Sequence, residues 1–142
     1  MNFKNWFLEN FYKGTHRPPS KDSGAPLHDL TVIYPDDVYE DIMSYMGDFS
    51  QKKAAEIILR YRNKPNKLIK IYRAVPEGVE TINPGDWVAI TRSYAIQHGK
   101  HPTDPDKDLK IISAEVYARD LHTDGNSFEE WGYNGSDKLI GK

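Results

Sequence analysis

The apolar positions of this chain change period near its middle. In residues 2–13, Phe3, Trp6, Phe7 and Phe11, with Leu8 beside them, recur at three- and four-residue intervals, which predicts an amphipathic helix ended by Gly14. His16 to Pro26 carries three prolines among Ser, Gly and Asp and reads as an irregular segment. A short apolar run, Leu30 to Tyr34, leads into Pro35-Asp36-Asp37, a start signal for a helix over 36–46 with Val38, Ile42 and Met43 on one side and Gly47 closing it. Ser50 is expected to cap a further helix over 51–63, with Ala54, Ile57, Ile58 and Tyr61 inward, Lys52, Lys53, Glu56 and Arg60 outward, and Asn63 and Pro65 as the stop.

From Leu68 the period becomes two. Leu68, Ile69, Ile71 and Val75, around Tyr72 and Arg73, predict a strand, and Pro76 to Gly85 a turn-rich connector. Trp87 to Thr91 predicts a second strand, Ser93 to His98 a short helix ended by Gly99, and 100–108 a polar, mobile loop. Lys110 to Tyr117 is the strongest strand pattern. A turn region at Asp120-Leu121 and Asp124-Gly125-Asn126 then leads to a last strand around Glu129-Glu130-Trp131-Gly132-Tyr133. Helices first and strands afterwards describe an α+β domain, in which N-terminal helices pack on a small, mainly antiparallel split β-sheet core. A length of 142 residues fits one domain, 1–142, with residues 1–66 mainly helical and 67–142 β-rich.

Composition narrows the classes of function. The net charge of −2 gives no broad positive field to gather nucleic acid, so that partner is allowed but unsupported. The absence of cysteine excludes disulfides, thiolate metal sites and a cysteine nucleophile, and suits a reducing compartment. No apolar run reaches the length of a membrane span, and Met-Asn-Phe-Lys-Asn-Trp lacks the features of a secretory signal; a complete, cytoplasmic protein without membrane contact is expected.

Three features carry candidate chemistry. Arg73 lies within an apolar strand, where a guanidinium is costly unless it meets an anion; it reads either as a strand-edge arginine that reaches solvent or pairs with a carboxylate, or as a phosphate clamp. Thr91-Arg92-Ser93 follows the second strand, so that Ser93 or its neighbour caps the short helix while hydroxyls face the strand end; capping explains Thr91 less readily. Glu129-Glu130 sets carboxylates beside Trp131, either as a solvated acidic pair or as a site. His98 and His101 are separated by the helix-breaking Gly99 and lack further ligands, so no metal is expected; His98 ends its helix favourably, and His28 suits a turn. Asp104 to Asp108 lacks the glycine and terminal glutamate of a calcium loop, and Lys64, Lys67 and Lys70 read as a solvated edge.

The order of these features, a strand arginine, a strand-end hydroxyl cluster and a late-strand glutamate, resembles the ADP-ribosyltransferase superfamily in its arginine, serine and glutamate class, closest to the transferase-like domains of phage polyvalent proteins. The resemblance rests on Ile71-Tyr72-Arg73-Ala74-Val75-Pro76, Ile82-Asn83-Pro84-Gly85-Asp86-Trp87-Val88, Thr91-Arg92-Ser93-Tyr94-Ala95 with His98-Gly99, and Asp124-Gly125-Asn126-Ser127 with Glu130-Trp131-Gly132-Tyr133. Upstream, Gly24 to Thr31 and Tyr34 to Tyr39 are similar to the leader of those phage domains.

The resemblance implies that NAD, as substrate, lies in a cleft between two small sheets. Arg73, Tyr72, Ala74, Thr91, Ser93, Tyr94 and Trp131 are its expected contacts, with Tyr94 or Trp131 stacking on nicotinamide. Arg73, Thr91, Ser93 and Glu130 are the implied catalytic set, Glu130 being preferred to Glu129 for its Trp-Gly-Tyr context. The implied activity is mono-ADP-ribosyl transfer to a host macromolecule by a phage or mobile-element protein, with a defence component such as a CRISPR effector among the targets. Alternatives are an inactive fold of this type that inhibits a host protein by binding it, and a domain that modifies or binds nucleic acid. Thr91 and Arg92 depart from the usual Ser-Thr-Ser, and Ser127 and Phe128 stand where an acidic or amide residue often precedes the glutamate.

Overall fold

A computed structural model describes residues 18–45 and 49–142. The helix expected over 2–13 lies outside the described residues. The two longest alternating apolar runs form the two longest strands, as period-two patterning requires. They are β2 (Leu68–Val75) and β5 (Lys110–Tyr117), paired antiparallel along their full length from Leu68↔Tyr117 to Val75↔Lys110. Shorter strands extend this pair: β1 (Ala25–Pro26), β4 (Trp87–Ala89), β6 (Leu121–Thr123) and β7 (Glu130–Tyr133) complete a sheet of order β1-β6-β7-β4-β2-β5 with every pairing antiparallel. A separate two-stranded sheet joins β3 (Thr81–Ile82) to β8 (Leu139–Ile140). Among the described residues, two α-helices, α1 (Lys52–Tyr61) and α2 (Arg92–His98), complete a small α+β fold.

The register sorts the sheet into two faces. Ile69, Ile71 and Val75 are buried on one face of β2, and alternation puts Arg73 on that same face, in line with Val88 of β4 and Trp131 of β7. Tyr72, Ala89 and Glu130 form a row on the opposite face. There α2 crosses the sheet, close enough that a Cβ on Gly99 would come within 2.9 Å of the Ala74 Cβ. The Arg73 face is the core side. Ile69, Ile71, Val75, Ile112, Val116, Val88 and Trp131 join Ala54, Ala55 and Ile58 of α1 in one continuous buried cluster.

The described residues before β2 are less helical than their pattern predicts. α1 forms as expected, with Ala54, Ala55 and Ile58 buried, and Asn63 in the left-handed region at φ 60° turns the chain away, its N–H bonded to the His28 carbonyl. The helix expected over 36–46 is instead a series of turns ending in a 3-10 turn, Ile42–Tyr45. The segment is held by tertiary contacts: the Tyr39 hydroxyl donates to the Leu27 carbonyl and accepts from the Leu30 N–H, tying it to the loop after β1. Val38 and Ile42 are buried as expected, whereas Met43 is exposed.

Candidate functional site

The C-terminal end of β4 and the start of β7 converge because β4 and β7 are neighbours. Thr91 stands at the N-cap of α2 with extended backbone, and its Oγ1 accepts the Tyr94 N–H at 3.3 Å. The expected cap at Ser93 is therefore displaced by two residues, since the helix begins at Arg92. Nor does Ser50 cap α1: it lies in the 3-10 turn Phe49–Gln51, and Gln51 occupies the N-cap without a side-chain capping bond. The Thr91 hydroxyl also donates to Glu129 Oε2 at 3.0 Å, where both residues are buried.

Glu129 is held by the loop before β7. The Ser127 Oγ accepts the Glu129 N–H at 3.0 Å, the Ser127 carbonyl accepts from Thr123 Oγ1 at 3.2 Å, and the Phe128 N–H donates to Gln51 Oε1 at 2.8 Å. Gly125 makes the bend possible at φ 94°, with its N–H bonded to Thr123 Oγ1. A pocket of about 410 Å³ opens here, walled by Ser50, Gln51, Ser93, Tyr94, Gln97 and Ser127, with Glu129 as its least exposed member at 6%. Such a volume lies toward the lower end of the range that holds small-molecule ligands. One carboxylate fixed by a buried hydroxyl, facing hydroxyls, amides and a phenol, can stabilise positive charge developing on a bound group.

The structure divides the residues expected to form one site. Ser93 and Tyr94 line the pocket with Glu129, not Glu130, as its carboxylate, and Thr91 does not line it but stands behind Glu129, to which its hydroxyl donates. Glu130 sits on the adjoining α2 face, where its Oε1 accepts the Tyr94 hydroxyl. Arg73 lies on the other face of the sheet: its Nη1 donates to the Trp87 carbonyl at 2.7 Å and its Nε lies 3.7 Å from Asp86 Oδ2. The pairing weighed for Arg73 as an alternative to a phosphate clamp is thus the one present. Tyr72 and Ala74 do not line the pocket; the Lys70 ammonium lies 6.0 Å over the Tyr72 ring, and Gly99 covers Ala74. Trp131 is fully buried, with its indole N–H bonded to the Phe128 carbonyl, so it offers no face for stacking.

No family model matches this chain. Nor does any curated protein or solved structure. The site therefore rests on its own geometry.

Among the described residues there is no cluster of three or more His, Cys, Asp or Glu placed to hold a metal, and no helix is long and apolar enough to cross a membrane. His98 closes α2 and stacks on Tyr94 at 6.1 Å between ring centroids. His101 is occupied elsewhere, its Nδ1 accepting from the Thr103 and Asp104 N–H groups. The 100–108 segment contains a 3-10 turn, Pro105–Lys107, capped by Asp104.

Sequence reasoning missed His122, buried on β6 between Pro26 and Gly132. Its Nδ1 and that of His28 are both buried without a hydrogen-bond partner. Desolvation, and then the proximity of His28, lowers the His122 pKa; desolvation also lowers that of His28, with Asp29 opposing it. Burial thus favours the neutral form of both in the fold, whereas the unfolded chain takes up protons more readily, and stability drains away as pH falls below the ordinary imidazole value of about 6.5. The urea midpoint is expected to drop between neutral and mildly acidic pH, with a shallower drop in His122→Gln. Equal slopes in the two proteins would show that this pair is not the cause.

Proposed function

We propose that the protein is an NAD-dependent mono-ADP-ribosyltransferase, with the pocket around Glu129 as its active site. The observation that carries this reading is the Thr91 hydroxyl bonded to a buried carboxylate at the end of two adjacent strands. Loss of nicotinamide from NAD builds positive charge on the ribose, and a fixed carboxylate binds that state more tightly than the ground state. In this reading Glu129 faces the ribose, Thr91 fixes the carboxylate, Ser93 bonds a ribose hydroxyl, and Tyr94 supplies a ring against nicotinamide. Tyr94 is itself oriented by Glu130, which makes Glu130 a positioning residue.

The acceptor is a host macromolecule, as the phage resemblance implies, with a defence component among the candidate targets. The test is calorimetric titration with NAD together with transfer of label from NAD in a cell extract. Heat of binding and a labelled product are expected, and absence of both would end the reading.

A second reading, a non-catalytic binder of a host protein, is favoured by one observation. Arg73, the expected phosphate ligand, is engaged with Asp86 and Trp87 on the core side of the sheet. Host-protein association without NAD binding would support it.

A further inference from the structure

Two consecutive backbone N–H groups of the loop before β7 each hold a side chain of the pocket lining. The Glu129 N–H donates to Ser127 Oγ at 3.0 Å, and the Phe128 N–H donates to Gln51 Oε1 at 2.8 Å. Gln51 stands at the N-cap of α1, a position where a short oxygen-bearing side chain usually turns back to bond the first N–H groups of its own helix. It makes no such bond. Its side chain is committed instead to the loop that carries Glu129, and α1 goes without a side-chain cap. That commitment fixes which way the Gln51 amide faces. Only its oxygen can accept from an N–H, so Oε1 lies against Phe128, and Nε2, which can only donate, is the atom left over. Among the described residues neither hydrogen of Nε2 has a partner. The neighbouring Ser127 is in the same situation: its Oγ accepts the Glu129 N–H, and its hydroxyl hydrogen remains to be given.

We propose that Gln51 is a specificity-determining residue of this pocket, whose Nε2 donates to an acceptor oxygen of the bound ligand, with the Ser127 hydroxyl as a second donor beside it. The inference rests on the reading of the pocket as a nicotinamide-ribose site, where that acceptor is the carboxamide oxygen of the ring or a hydroxyl of the ribose. A ligand without the oxygen would leave a desolvated donor unpaired, and a site built to hydrogen-bond its substrate discriminates in this way. Gln51 thus has two separable roles. Its oxygen holds the loop next to Glu129, and its nitrogen reads the ligand.

The test uses two variants of the full chain, with urea midpoints and with calorimetric titration of NAD, nicotinamide and ADP-ribose. Gln51→Glu keeps an oxygen for the Phe128 N–H and exchanges the free donor for an acceptor; Gln51→Met has neither and adds no charge. The urea midpoint is expected to stay near that of the parent in Gln51→Glu and to fall in Gln51→Met. NAD affinity, corrected for the folded fraction, is expected to drop about tenfold in both, the usual consequence of one lost hydrogen bond. An accompanying loss of nicotinamide affinity assigns the acceptor to the ring carboxamide, and a loss of ADP-ribose affinity in both variants assigns it to the ribose. NAD affinity within about threefold of the parent in Gln51→Glu overturns the inference while the NAD reading stands, because the side chain then serves the loop alone. A loss in Gln51→Glu that Gln51→Met does not share is an effect of charge and overturns it as well. Absence of NAD binding by the parent protein removes both the NAD reading and the inference.

Discussion

Replacing Glu129 with glutamine is expected to reduce label transfer from NAD by about 10²–10³-fold, the usual consequence of removing one fixed group that stabilises transition-state charge. Glu130→Gln is expected to cost much less. The two carboxylates are neighbours in sequence but differ in surroundings. Glu129 is 6% exposed and held by the Thr91 hydroxyl inside the pocket lining. Glu130 lies in the row of Tyr72 and Ala89 beneath α2 and is reached by the Tyr94 hydroxyl. Glutamine keeps the shape and the hydrogen bond at either position and removes only the charge. A loss confined to kcat in Glu129→Gln, with NAD binding retained, is the signature of charge stabilisation. A larger loss in Glu130→Gln than in Glu129→Gln would return the catalytic role to Glu130 and refute the assignment made from geometry.

The choice between these two residues marks where the sequence stops being informative. Strands β2 and β5 are eight residues each, long enough for alternation to declare them, and α1 carries its apolar stripe over nearly three turns. The two- and three-residue strands β1, β3, β6 and β8 have no period to read, because their pairing is decided by partners distant in the chain. The order arginine, hydroxyl, glutamate is legible, and it corresponds to three adjacent strands, β2, β4 and β7. Which face each side chain takes is not. Arg73 falls on the core side because Ile71 and Val75 do, and a shift of one residue would have reversed every assignment. The Thr91 cap was hidden by a helix start one residue earlier than the pattern suggests. His122 was hidden because burial on a three-residue strand leaves no mark in the sequence.

Trp131→Ala is expected to be the most destabilising single change in the chain, costing about 3–5 kcal/mol, the range for emptying a large aromatic site in a core. Trp131 is among the largest fully buried side chains, it packs in the cluster shared with Val88, and its indole N–H satisfies the Phe128 carbonyl. Against a total stability of about 5–15 kcal/mol for a domain, such a loss leaves a substantial unfolded fraction at mild denaturant. The milder Trp131→Phe keeps most of the packing and sacrifices the bond to Phe128, at about 1–3 kcal/mol for a buried carbonyl left unpaired. The pair of variants separates a core role from a ligand-stacking role. A stacking tryptophan would lose NAD affinity in proportion to its ring while sparing the urea midpoint. The buried tryptophan should do the reverse: both midpoints fall, alanine further than phenylalanine, and NAD affinity corrected for the folded fraction stays within about threefold in Trp131→Phe. Phe128 and Glu129 adjoin the carbonyl that Trp131 anchors. Any loss of transfer in Trp131→Phe should therefore appear in kcat, through displacement of Glu129, and be smaller than that of Glu129→Gln.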